Sequence, residues 1–191
     1  MFMSEAIQPI ERRVLSRDDF RFELRPYFSG VEDGILEAAM ESREEVARWM
    51  AWLHPEYGKK DADAWVEYAI GAWDAGTSYE FVIFDRDDGG VVGSCGLNAI
   101  NRIDLVCNLG YWVRTSKCRL GAASQAAQLI WQFGTEIVGF NRLEIVVAVG
   151  NEASRRVAQR VGAVDEGLQR DRLRVSGVAH DAHMFACLRS R

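Results

Sequence analysis

Apolar and polar residues alternate from Phe20 to Leu24, as on a strand with one buried face. From Val31 to Trp52 the spacing turns helical, and Gly34, Ser42 and Arg43 predict a break into two short helices. Asp61 to Ala75 predicts a third helix, with Trp65, Ala69, Ala72 and Trp73 near one face. Tyr79 to Phe84 reads as a strand, Asp87-Asp88-Gly89-Gly90 as a turn, and another strand starts at Val91. Cys107 to Val113 is a further strand. A long helix runs from Gly121 to about Val138, with Ala123, Ala127, Ile130, Gly134 and Ile137 along one face. Leu143 to Val149 is almost continuously apolar, as a strand buried on both faces tends to be. Asn151 predicts a helix N-cap, Gly162 the end of that helix, and residues 167–188 a hairpin turning at Ser176-Gly177. Strands interleaved with helices on a mixed sheet predict a three-layer α/β or α+β domain. Residues 1–17 form an N-terminal arm and 18–191 a single domain, with no repeat or linker to divide it.

Bulk composition narrows the class. A chain of 191 residues, 48% hydrophobic, is long enough for one domain with a proper core. Its net charge of -5 argues against nucleic acid as the main partner, and a mildly acidic surface suits a cationic amine. No segment approaches the roughly 20 apolar residues of a membrane span. The N-terminus lacks a basic start followed by an apolar run, so the expectation is a cytoplasmic protein. Cys95, Cys107, Cys118 and Cys187, with His54, His180 and His183, show no metal-ligand spacing, and reduced thiols fit the cytoplasm. No metal is expected.

The segment Leu109 to Ala127 carries the chemistry. It reads as an apolar strand, a short basic loop, and a helix opening on Gly121, Ala122 and Ala123. Such an arrangement aims free N–H groups and the positive end of a helix dipole at one point, where an anion can sit. Small residues let a phosphate approach the backbone, and Lys117 and Arg119 add charge. Two nucleotide readings fail. There is no Gly-Lys-Ser/Thr to close a P-loop, and no G-x-G-x-x-G opens this helix.

Three matches place the chain beside a known family. Leu109-Gly110-Tyr111-Trp112-Val113, the loop Ser116 to Ala123, and Asn151-Glu152-Ala153-Ser154 leading to Gly162 together resemble the GNAT acetyltransferase superfamily. Within it, they are similar to the RimJ/RimL-like branch: its GYW strand, its Q/R-x-x-G-x-G/A loop and its N-x-A-S helix. Trp49, Met50, Trp52 and Asp165-Glu166-Gly167 extend the likeness over residues 18–189. The resemblance implies a mostly antiparallel sheet that splays around acetyl-coenzyme A, helices on both faces, and transfer of the acetyl group to a primary amine by direct attack. It places the pantetheine arm against Tyr111, Trp112 and Val113, and the pyrophosphate at Cys118, Arg119, Leu120, Gly121, Ala122, Ala123 and Ser124. Asn151 would touch the pantetheine and Ser154 the sulfur. The loop departs from the pattern at Cys118, where Gln or Arg is usual, and at Arg119, where Gly is usual. Ala158 stands where many members carry a tyrosine general acid, so Ser154 or water takes that task. The resemblance also allows a homodimer, for which the last hairpin offers a contact.

Acyl transfer from a thioester needs a neutral amine, a polarised carbonyl and a protonated leaving thiolate. An α-amine titrates near about 8 and a lysine near about 10.4, which favours an N-terminal or similar acceptor over a lysine side chain. The acceptor is a protein N-terminus or a small-molecule amine. Glu166 is the first choice of general base, by its likeness to a carboxylate of the branch. A raised pKa is expected for it beside apolar neighbours. The alternative pairs it with Arg170, Arg172 or Arg174. Glu80 and Glu144 rank lower, because acidic strand residues more often face solvent. Trp49, Trp52 and His54 would wall the acceptor side. A coenzyme A-binding module with little or no catalysis is the competing function.

Overall fold

The computed structural model describes residues 9–189, and the first eight residues of the expected arm lie outside them. Seven strands make one sheet: β1 (Phe22–Pro26), β2 (Tyr79–Asp85), β3 (Val91–Asn101), β4 (Val106–Val113), β5 (Arg142–Ala148), β6 (Val164–Val175) and β7 (Val178–Leu188). Their spatial order is β1-β2-β3-β4-β5-β7-β6. Neighbours are antiparallel except β4 and β5, which run parallel. The hairpin of β6 and β7 reads as expected, but β7 inserts beside β5, so the last strand lies inside the sheet and β6 at its edge.

Helices α1 (Glu32–Glu41), α2 (Arg43–Ala47), α3 (Lys59–Ala75), α4 (Ala122–Gln132) and α5 (Glu152–Arg160) cover both faces. The alternation of strand side chains divides the core accordingly. Phe81, Leu97, Leu109, Leu143, Ile145 and Phe185 pack with Ala126, Ala127 and Ile130 of α4 on one face. Val82 and Phe84 meet Tyr27, Ile35, Val66 and Ala69 on the other. This is the expected three-layer arrangement around a mostly antiparallel sheet.

Local chemistry explains the element ends. Ser42 breaks the first helical stretch, donating its hydroxyl to Ala38 O at 2.8 Å, and the chain restarts as α2. The long helix expected to Val138 instead ends as α-helix at Gln132 and continues as a wider π-turn from Phe133 to Val138. There Thr135 Oγ1 takes Trp131 O at 2.9 Å, a side-chain bond that competes with the regular ladder. Residues 9–17 run along the domain: Leu15 bridges Leu24, Trp73 Nε1 donates to Ile10 O at 2.8 Å, and Arg12 pairs with Asp74.

Candidate active site

The wedge between β4 and β5 is the starting point. Only Val106, Cys107 and Asn108 pair with Arg142, Leu143 and Glu144. Beyond them the strands part, leaving Leu109–Val113 and Ile145–Ala148 with facing edges that lack ladder partners. A buried edge without partners is costly, so this gap suits an extended chain rich in amides.

At the end of β4 the chain makes a short 3-10 turn, Thr115–Lys117, and reaches α4 through Cys118 to Gly121. Arg119 and Gly121 adopt positive φ, +64° and +90°. Left-handed residues alternating with ordinary ones turn successive N–H groups inward, as in an anion nest. Among the described residues, none of the N–H groups from Arg119 to Ser124 finds an acceptor. Ala122 and Ser124 are buried, seating the helix start on the sheet. Six free donors at one helix N-terminus suit a pyrophosphate.

The approach to this loop is clamped. Arg114 pairs with Glu37 and Glu41, Ser116 N donates to Glu41 at 2.7 Å, and Thr115 N to Ser42 Oγ at 3.0 Å. Arg114 holds the Glu41 carboxyl down to about 2. Lys117 does not supply charge to the cradle as the sequence suggested. Its Nζ lies 2.8 Å from the fully buried Asp85 and 2.5 Å from Asp88. Arg21 grips Asp85 from the other side and, with Lys117, keeps that carboxyl well below the usual range. Arg119 remains the exposed cation at the loop, and Cys118 is an exposed free thiol.

Across the wedge, Asn151 caps α5, its Oδ1 accepting from Ser154 N at 3.1 Å. Ser154 Oγ lies 3.0 Å from the Tyr111 hydroxyl, which also reaches Ser154 O at 3.1 Å. Burial pushes the Tyr111 phenol up to about 12. A tyrosine thus stands beside Ser154 although Ala158 leaves none on α5. It comes from β4, which single-sequence spacing could not connect to α5.

On the sheet face opposite α4 and α5 lies a cavity of about 640 Å³. Its walls include Trp52, His54, Tyr57, Trp65, Tyr68 and Trp112, contributed by the α2–α3 loop, α3 and β4. Trp52 is tilted against Trp112 and set edge-on to Tyr57, both at 5.4 Å between ring centroids. Glu80, Ser94, Asn98 and Asn108 supply polar groups from the sheet. Of the residues expected on the acceptor side, Trp52 and His54 line the cavity and Trp49 does not. Trp49 instead lies over the β5–α5 loop, its ring edge 3.7 Å from where a Cβ on Gly150 would sit.

Glu166 stands elsewhere. It lies on the exposed strand β6, bidentate to Arg142 at 2.8 and 2.5 Å, and does not line the cavity. Arg142 holds its carboxyl below the ordinary value, opposite to the rise expected beside apolar neighbours. The partner is Arg142 of β5, not an arginine of its own hairpin. Glu144 also binds Arg142, at 2.8 Å. Glu80, ranked low as a strand carboxylate, is buried, because β2 is covered along its whole length. Burial raises its pKa. Among the described residues no cluster of His, Cys, Asp and Glu could hold a metal ion, and no helix is long and apolar enough to cross a membrane.

Comparison with known proteins agrees with this geometry. The family model described as acetyltransferase (GNAT) domain matches residues 21–164. YdaF of Bacillus subtilis (strain 168), whose name assigns it provisionally as a ribosomal N-acetyltransferase, is 26% identical over 165 residues, covering 81% of this chain and 84% of that one. The ribosomal-protein-serine acetyltransferase of Escherichia coli (strain K12) is 24% identical over 135 residues, 71% of this chain and 74% of that one. In fold, the chain is similar to RimL, a ribosomal L7/L12 alpha-N-protein acetyltransferase solved with coenzyme A. The TM-score is 0.85, with 21% identity over 93% of this chain and 98% of that one. The chain belongs to the acetyltransferase (GNAT) family, is an N-acetyltransferase, and is similar to ribosomal-protein acetyltransferases of the RimL kind.

Proposed function

We propose that the chain moves the acetyl group of acetyl-coenzyme A to a primary amine, by direct attack in a ternary complex. The observation that carries this reading is the wedge. A gap between parallel strands, with a free N–H cradle on one flank, opens beside an amine-sized cavity. Cys118 to Ser124 would hold the pyrophosphate, chiefly by backbone. The unpaired edge of Tyr111, Trp112 and Val113 would pair with the pantetheine amides, and Asn151 would touch the same arm.

Little further catalytic machinery is required. Fixing both substrates supplies much of the rate. Ser154, 3.0 Å from the Tyr111 hydroxyl, can protonate the departing sulfur while Tyr111 replaces the proton on the serine. No step needs Glu166, whose carboxylate is engaged by Arg142.

A protein N-terminal α-amine is the acceptor that the names of the relatives support. A cavity of about 640 Å³ takes one or two terminal residues or a compact amine. Half-exposed apolar residues on the last hairpin, Val164, Leu168 and Val178, support pairing of two copies. The four free cysteines support a cytoplasmic setting. The test is thiol release from acetyl-coenzyme A, measured with a panel of peptides and small amines. Amine-dependent release with a matching mass gain of the amine is expected. Binding of the donor with no release on any amine would favour the coenzyme A-binding module.

A further inference from the structure

The floor of the cavity holds a buried carboxylate with no countercharge. Glu80 is 5% exposed, and among the described residues it forms no ion pair. Its Oε1 accepts from Ser78 Oγ at 2.8 Å and from Asn98 Nδ2 at 3.3 Å, and Asn98 in turn accepts from Asn108 Nδ2 at 2.9 Å. Oε2 receives no donor. It lies over Gly96, where a Cβ would stand 2.0 Å from it, so glycine on the facing strand makes the space. Tyr27 lines the same cavity, but its hydroxyl oxygen is closed off from it. It is buried beside Ser94 and Trp65 yet without a hydrogen-bond partner.

An unpaired buried carboxylate is expensive unless a cation completes it. The rings of Trp52, Trp65, Tyr57 and Trp112 line the same cavity, and an aromatic face turned to a cation attracts it. An amine reaching the site at neutral pH is mostly an ammonium, which must be held as a cation and then lose a proton.

Resting on the acetyltransferase reading above, we propose that Glu80 binds the acceptor's ammonium through Oε2 and takes its proton. The bonds balance. One N–H proton passes to Glu80, directly or through one water, and the freed lone pair attacks the thioester carbon. The C–N bond forms and the C–S bond breaks. The second proton lost by the nitrogen passes through water to the Tyr111–Ser154 pair, restoring the one that Ser154 gave the sulfur. The proton on Glu80 leaves through the open mouth of the cavity. The product amide is uncharged, so the attraction that held the ammonium is gone.

The test compares wild type with Glu80→Gln, using phenethylamine, spermidine and trialanine as acceptors. The Gln amide keeps the volume and the acceptor for Ser78 and Asn98. Calorimetric titration with acetyl-coenzyme A should therefore change by less than about twofold, while kcat/KM for the amine falls on the order of 100-fold. The pH profile supplies the readout a structural role would not move. Wild-type kcat/KM should show an acid limb from a carboxyl above its ordinary value, and Glu80→Gln should keep only the amine's own ionisation. The other titratable groups facing the cavity are Tyr27, His54 and Tyr57, Asp61 and Tyr68 of α3, Cys95 of β3 and Tyr111 of β4. Asp61→Asn should leave the acid limb in place. A Glu80→Gln enzyme that keeps wild-type kcat/KM and the acid limb would overturn the proposal and leave the acetyltransferase reading intact. If that variant fails to fold, a wild-type profile without the limb overturns it. A wild type that acetylates none of the three probes contradicts both readings.

Discussion

The cradle and the cavity face each other across β4 and are built in opposite ways. The cradle is six consecutive residues, Arg119 to Ser124, offering backbone N–H groups. The cavity gathers side chains from β2, β3, β4, α3 and the α2–α3 loop. A site made of contiguous backbone tolerates changes of side chain, which is how Cys118 and Arg119 can depart from the family pattern. A site made of scattered side chains is sensitive at each of them. The two flanks should therefore respond to mutation in opposite fashion.

The sharpest break of that comparison is Gly121→Glu. A Cβ there meets only Gln125 at 3.8 Å, so the fold has room for it. The φ of +90° and the added negative charge both act against the cradle. Donor binding should fall at least 100-fold, or about 3 kcal/mol, and the strained backbone should lower the melting temperature by a few degrees. Glu80→Gln should do the reverse, sparing donor binding and removing turnover.

A smaller effect is expected at the clamp. Asp85→Asn should lower the melting temperature and weaken donor binding several-fold, because Arg21 and Lys117 both lose their anchor. Lys117→Ala should give the same pattern with a salt dependence of donor binding unchanged from wild type. A cradle cation would lower that dependence instead.

The pH dependence of stability follows from Glu41. Its folded pKa, about 2, lies below the unfolded value of about 4.3. The contribution is present above the unfolded value and disappears as pH falls through the folded one. The stability difference between wild type and Glu41→Gln should be constant above roughly pH 5 and close between about 4 and 2. Thermal melts across that range measure it.

Two changes should do little. Glu166→Gln removes one partner of Arg142 while Glu144 keeps another, so kcat/KM should stay within about twofold of wild type. Arg119→Gly puts glycine where φ is +64° and should stabilise by up to about 1 kcal/mol in a denaturant titration.

The same contrast explains what could be read in advance. Periodicity located every strand and helix to within a few residues, and the break at Ser42 followed from a hydroxyl that competes for a helical carbonyl. The loop before α4 was legible because its donors are consecutive. Lys117 was misread because its partner Asp85 lies 32 residues away, across the β2–β3 turn. Glu166 and Glu80 stand in environments opposite to those expected, Glu166 ion-paired with Arg142 and Glu80 buried. Period-two reasoning assumes that a strand has a wet face, and β2 has none, whereas β6 is exposed almost throughout. The Tyr111–Ser154 pair and the orphan hydroxyl of Tyr27 needed the folded chain to be seen.

The most direct test of the account is calorimetric titration of acetyl-coenzyme A into wild type, Gly121→Glu and Glu80→Gln. Wild type and Glu80→Gln should bind it, and Gly121→Glu should not. Equal binding by wild type and Gly121→Glu, or none by wild type, would contradict it.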